Sequence, residues 1–133
     1  MIKIFEFENK GDEKGPVINL DFTTMRVVEM PVFYRKKGDN PDGHFHKEGD
    51  PSYDPQYVYV LKGRLEFTCT DLTGKSEVVE LPEMHGIILP KYIFHRYKVL
   101  EDTIFCEPRL QKYSPQNPNR YSWEDFNKLI SRK

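Results

Sequence analysis

Two stretches decide how this chain is read: Gly43-His44-Phe45-His46-Lys47 and, downstream, Gly86-Ile87-Ile88-Leu89-Pro90-Lys91-Tyr92-Ile93-Phe94-His95. In the first, two imidazoles stand at i and i+2. Extended backbone sends both rings out of one face with their Cα atoms roughly 7 Å apart, so two ring nitrogens can converge on one ion or one substrate. His-x-His alone occurs often by chance. The context is more specific. An apolar strand ending in glycine, Gln56-Tyr57-Val58-Tyr59-Val60-Leu61-Lys62-Gly63, separates the pair from His95, which itself follows a proline-led bend.

Outward from these stretches, short extended segments recur between turn residues. Strands are expected at Ile2 to Glu8, Pro16 to Asn19, Met25 to Arg35, Gln56 to Leu61, Arg64 to Asp71, Ser76 to Leu81, Gly86 to Leu89, His95 to Val99 and Thr103 to Glu107, with hairpin connections at Lys62-Gly63 and Leu72-Thr73-Gly74-Lys75. Gln56, Val58 and Val60 share one face, as do Leu65, Phe67 and Cys69. Many short strands at near-regular spacing predict an all-β barrel or sandwich. Ser122-Trp123-Glu124-Asp125 has capping-box character, and Trp123, Phe126, Leu129 and Ile130 form one stripe, which predicts a helix over about 122–131. The 133 residues suit a single domain with a barrel core over about 25–110. Gly38 to Pro55, rich in Gly, Asp and Pro, reads as a loop that carries the first two histidines.

Charge excludes some functions. Charged residues make up 31% of the chain and nearly cancel, for a formal net charge of −1, which does not make a nucleic-acid or anionic-lipid surface. No apolar run reaches membrane-spanning length, and the N-terminus has no secretory pattern. Cys69 and Cys106 lie in apolar strands at a spacing that fits no metal motif, so both read as buried thiols of a reduced, cytoplasmic protein.

The order His44-x-His46, Gln56, Gly63, Pro90, His95 resembles the two half-motifs of the cupin superfamily, with Gln56 where glutamate is usual and Tyr92 where glycine is usual. This implies a small double-stranded β-helix barrel. Within it, Gly43 to Lys47 followed by Gln56, the run Gly86 to His95 with Phe94 for tryptophan, and the tail Tyr113-Ser114 through Arg120-Tyr121-Ser122-Trp123-Glu124-Asp125-Phe126 are similar to the WxcM-like dTDP-sugar 3,4-ketoisomerases. The resemblance implies a homodimer, a dTDP-sugar as small-molecule substrate and no cofactor. Two features depart from that family. Asp42-Gly43 replaces Arg-Gly, and the arginine the family places on the preceding strand has no counterpart in register, since Arg26 and Arg35 are both displaced. The link from Glu48 to Pro55 is also longer.

Moving a keto group from C4 to C3 requires removing a proton beside the carbonyl and returning one to its neighbour, which a histidine within hydrogen-bond reach can do. On this reading His46 is the base, His44 polarises the sugar oxygen or carries the second proton, and His95 completes the site. Gln56, Lys47, Arg35 and the hydroxyl of Tyr57 or Tyr59 are the candidate substrate contacts. The alternative is a metal-dependent cupin, such as a dioxygenase or Lewis-acid isomerase, in which His44, His46, Gln56 and His95 hold a divalent Fe, Mn, Ni, Cu or Zn ion. A barrel that binds a sugar or small acid without turnover is the third reading. Lys47 and the cluster Arg35-Lys36-Lys37 read equally as solvated charges, His85 as structural, and Asp50, Tyr53 and Asp54 as a loop near the mouth. Ile2 to Glu8 is expected to pair with a neighbouring subunit's sheet.

Overall fold

The computed structural model describes residues 2–131. Its strands are β1 (Lys3–Glu6), β2 (Val32–Arg35), β3 (Gln56–Thr70), β4 (Ser76–Pro82), β5 (His85–Leu89) and β6 (Phe94–Cys106), followed by helix α1 (Trp123–Ser131). They form an antiparallel sheet in the order β1-β5-β3-β6-β2, with β4 also paired to β3. β3 is the spine. Its first half pairs β5 from Gln56 to Val60, its second half pairs β4 from Arg64 to Thr70, and β6 lies along its other edge.

Where the sequence suggests a hairpin at Lys62-Gly63, the strand instead runs through. The residues 60 to 65 carry successive register shifts against β6. Without them, Val60 and Leu65, an odd number of positions apart, would face opposite sides of the sheet. The shifts restore both to one core with Val58, Phe67, Cys69 and Val99. Gly63 makes the irregularity possible: its φ is +93°, and a Cβ there would lie 2.4 Å from the Asp102 carbonyl oxygen. The expected strands at His95 to Val99 and Thr103 to Glu107 likewise merge into one, β6. The second hairpin is as expected, with the Asp71 carboxylate accepting from the amides of Thr73 and Lys75 at 2.9 and 3.2 Å.

The N-terminal region is less regular than its alternation suggests. Pro16 to Asn19 makes only an isolated bridge through Ile18 to Asn9, and Met25 to Arg35 shortens to β2 with a bridge from Glu29 to Arg109. Its apolar side chains are spent differently: Ile18, Leu20, Phe22 and Met30 pack with Tyr57, Tyr59 and Leu61 on the sheet's other face. β1, expected to meet a neighbouring subunit's sheet, pairs β5 of its own chain along one edge. Both cysteines are buried free thiols. No described helix is long and apolar enough to cross a membrane.

α1 is capped as its sequence indicates, with the Asp125 amide donating to Ser122 Oγ at 3.2 Å and the Ser122 amide to the Asp125 carboxylate at 3.4 Å. Its stripe packs on the outside of the barrel, where Phe126 is fully buried against Phe45 and Phe94.

Candidate active site

The histidine segment is locked into the barrel from both sides. His44 and His95 exchange backbone hydrogen bonds of 3.0 and 2.9 Å, and Phe45 and Tyr121 exchange two of 3.1 Å. The piece read as loop is therefore extended where the histidines lie. Gly43 permits so close an approach: its φ is +85°, and a Cβ there would fall 2.5 Å from Arg96 Cβ and 2.6 Å from the His95 carbonyl oxygen. Alternation then turns His44 and His46 inward and Phe45 outward onto Phe126, at a ring separation of 5.0 Å.

Tyr92 stands where cupins usually carry glycine, and its φ is +59°. The turn keeps the left-handed conformation at a cost of roughly 1–2 kcal/mol. Two hydrogen bonds offset it: the Tyr92 amide donates to the His46 carbonyl at 2.8 Å and its hydroxyl to Glu48 at 2.7 Å.

The three rings converge, with centroids 4.7 Å apart for His44 and His46, 4.9 Å for His44 and His95 and 5.3 Å for His46 and His95. His46 is 2% exposed and held on every side. Its Nδ1 donates to the Asn119 carbonyl at 2.6 Å, and its Nε2 faces Gln56 Oε1 at 3.0 Å. Tyr53 stacks on it at 3.7 Å. Gln56 Nε2 in turn donates to the Glu107 carboxylate. His95 Nδ1 donates to the Ile93 carbonyl at 3.1 Å, which leaves the Nε2 of its neutral ring as an acceptor. The His44 ring has no hydrogen-bond partner among the described residues.

Burial holds all three rings neutral. It takes His44 down to about 2, with the His95, His46 and Arg120 charges adding to the effect, and takes His46 to about 4 against the opposing pull of its Asn119 and Gln56 bonds. His95 falls to about 3, again chiefly through burial. Burial pushes the Glu107 carboxyl upward.

A cavity of about 920 Å³ opens on these groups. His44, His95, Gln56 and Arg35 line it, whereas His46 lies behind the wall. That arrangement corrects three expectations. His46, 2% exposed under Tyr53 with Nδ1 held by the Asn119 carbonyl, is poorly placed to touch substrate. Tyr57 and Tyr59 face the opposite side of the sheet because Gln56 and Val58 take the inward positions. Lys47 leaves the cavity to lie over the Tyr121 ring at 4.2 Å. His85 lies outside the cavity, half-buried in β5 and 3.8 Å from Glu6 of β1. Sequence reasoning missed Glu107, Arg109 and Arg120, all of which line the cavity, and did not foresee that Tyr53 stacks on His46. Glu107 was legible only as the last residue of an expected strand. The two arginines lie in an irregular tail with no local signal.

The donor set fits a divalent transition ion. Ligand atoms of His44, His46 and His95 lie within 4.8 Å of one another. Two of the rings give their Nδ1–H to a backbone carbonyl, the usual backing of a ligating imidazole. Gln56 Oε1 presents a lone pair toward His46 Nε2. The set contains no carboxylate, and the positive charge of Arg120 bears on all three rings.

The chain matches no protein-family model and no curated protein sequence. It is similar in structure to a 3,4-ketoisomerase from Helicobacter canadensis, with TM-score 0.78, 17% identity, and 98% of this chain and 97% of that one covered. QdtA, a sugar 3,4-ketoisomerase from Thermoanaerobacterium thermosaccharolyticum in complex with TDP, gives TM-score 0.78, 11% identity and coverage of 98% and 95%. A dTDP-4-dehydrorhamnose 3,5-epimerase from Sulfolobus tokodaii gives 0.69, 23%, 86% and 73%. The chain thus has the cupin-type barrel fold that the sugar 3,4-ketoisomerases share with the 3,5-epimerases.

Proposed function

We propose that the chain is an isomerase that moves a keto group between C4 and C3 of a nucleotide-linked 6-deoxy sugar, with His44 as the base. The observation that carries this reading is the position of His44: a neutral imidazole, without a ring hydrogen bond among the described residues, on the wall of a cavity large enough for such a substrate. His44 takes the C3 proton, and the C3–H pair becomes the C3=C4 bond of an enediolate. His44 then returns the proton to C4, while the O3 proton passes to O4 and leaves the carbonyl at C3. His95, with its Nε2 lone pair directed by the Ile93 bond, is suited to carry the hydroxyl proton. His46 is a positioning residue, since the Tyr53 stack and the Nδ1 bond to the Asn119 carbonyl fix the segment on which His44 stands.

This reading draws on the full-length likeness to 3,4-ketoisomerases, one of which is described in complex with TDP. It is tested by incubation with dTDP-4-keto-6-deoxyglucose in D₂O, followed by NMR. Deuterium at C4 of a 3-keto product and at C3 of recovered substrate is expected, both lost in His44→Asn. Binding of dTDP without exchange identifies a binding module instead.

A second reading has its own support in the convergence of His44, His46, His95 and Gln56. These residues would hold a divalent transition ion, which would supply Lewis-acid polarisation of a carbonyl oxygen. Near-stoichiometric metal in untagged protein, lost on His95→Ala, selects this reading.

A further inference from the structure

Arg120 stands apart among the cations of the cavity wall. Arg109 is spent, donating to Tyr53 Oη and Asp50 at 2.8 Å each and to the Gln111 carbonyl at 3.0 Å, with Glu29 3.3 Å away. Arg35 has Asp39 at 3.8 Å. Arg96 faces solvent, and its charge bears on none of the three rings. Arg120 has only the Tyr113 ring, 5.7 Å from its guanidinium carbon, and no carboxylate within ion-pair distance among the described residues.

Its backbone is nevertheless fixed at the histidine end of the cavity. Asn119, immediately before it, accepts from His46 Nδ1 through its carbonyl, accepts from the Lys47 amide at 2.8 Å and donates to the Lys47 carbonyl at 2.7 Å. Tyr121, immediately after it, is paired to Phe45. Arg120 is thus held across from the His44–His46 segment and directed into the cavity. Its charge reaches His44, His46, His95 and Glu107 alike. A guanidinium with no carboxylate within ion-pair distance among the described residues, beside rings held neutral, is arranged for negative charge that arises in the cavity itself.

We propose that Arg120 is a catalytic residue whose guanidinium holds the C4 oxygen as it becomes the enediolate oxygen. The inference rests on the ketoisomerase reading above. As His44 takes the C3 proton, the C3–H pair forms the C3=C4 bond and the carbonyl π pair moves onto O4, where Arg120 compensates it. When His44 protonates C4, O4 takes the proton leaving O3 and the charge at Arg120 is discharged. No oxidant or reductant is needed.

The test compares wild type, Arg120→Lys and Arg120→Gln in three assays: dTDP affinity by calorimetry, C3 deuterium exchange, and kcat with dTDP-4-keto-6-deoxyglucose. Arg120 is exposed, so both variants should fold, which thermal melts check. The expected result is a loss in kcat and exchange of about 100-fold or more for Arg120→Gln, a smaller loss for Arg120→Lys, and dTDP affinity within about 3-fold of wild type. Loss of dTDP affinity with kcat retained would assign the charge to the diphosphate and overturn the proposal, as would no change in any assay. Absence of both binding and exchange in wild type overturns the ketoisomerase reading itself, and is distinguishable because it needs no variant.

Discussion

Tyr53 lies flat against His46, with ring centroids 3.7 Å apart and planes 6° from parallel. The contact joins the 3-10 turn Pro51–Tyr53 to the histidine segment, and Arg109 fixes its far side through bonds to Tyr53 Oη and to Asp50. Ser52 Oγ accepts from the Leu110 and Gln111 amides at 2.9 and 3.2 Å, so the turn is also tied to the chain beyond β6. The lengthened link between Lys47 and Gln56 is thus a wall of the site, built around a buried guanidinium.

That arrangement separates two variants. Tyr53→Phe keeps the stack but leaves Arg109 Nη1 without its acceptor, at a cost of about 1–3 kcal/mol. Tyr53→Ala removes a 4% exposed ring and should cost about 3–5 kcal/mol. Urea denaturation measures both. Equal losses would mean that the stack adds nothing.

Helix α1 reaches the site through one side chain. Phe45, fully buried between His44 and His46 in sequence, rests on Phe126 and Tyr121 on the outer side. Phe126→Ala is expected to cost about 3–5 kcal/mol and to lower kcat more than it raises KM, because the rings on either side of Phe45 lose their support. A destabilised variant with unchanged kcat would show that the helix stabilises the barrel without positioning the histidines.

The barrel was legible because its signals are local and repeated: alternation in both halves of β3, the hairpin after Asp71, the capping box at Ser122. Glycines were the ambiguous signal. Gly63 reads as a turn, yet it serves a bulge, because only pairing with the distant β6 shows that the strand continues. At the site, the residues that spacing singled out, His44, His95 and Gln56, line one cavity because strand order brings them together. The base role was expected of His46, because both rings leave the same face; only the burial of His46 and its bond to Asn119 show that His44 is the ring that lines the cavity. Tyr57 and Tyr59 were misread because a single strand does not reveal which face is inward. Arg120 was legible only as part of the tail motif, with no site role, for its position depends on Asn119 and Tyr121 pairing with residues far away in sequence.

The three depressed histidines set the acid stability. Below their ordinary value of 6.5, the unfolded chain binds protons that the folded rings refuse until about 4 for His46, 3 for His95 and 2 for His44. Stability is therefore fully present above 6.5 and falls as pH drops through this window, by up to about 1.4 kcal/mol per pH unit for each ring. Glu107, shifted upward, acts in the opposite direction: its contribution is present in acid and is lost as pH rises through its folded value. Urea midpoints should fall steadily from pH 6.5 to 4.5, with a shallower slope in His44→Asn. A flat profile over that range would show that the rings are protonated in the folded protein.

Gln56→Glu separates the acid–base and metal readings without recourse to activity. The substitution places a carboxylate at a 6% exposed position beside Glu107, in contact with His46. Without a cation, the two carboxyls repel and the new charge is poorly solvated, so the variant should lose about 3 kcal/mol at pH 7.5 and recover part of it at pH 5, where one carboxyl protonates. Added Zn²⁺ or Mn²⁺ binds a set that now carries charge and should raise the melting temperature of the variant, by linkage worth about 2.7 kcal/mol at a hundred times Kd. Wild type, with its neutral amide and Arg120 opposed to a dication, should show little metal-dependent shift. Comparable metal stabilisation of both proteins would mean that the amide is a sufficient ligand, and would move the base chemistry assigned to His44 onto a bound ion.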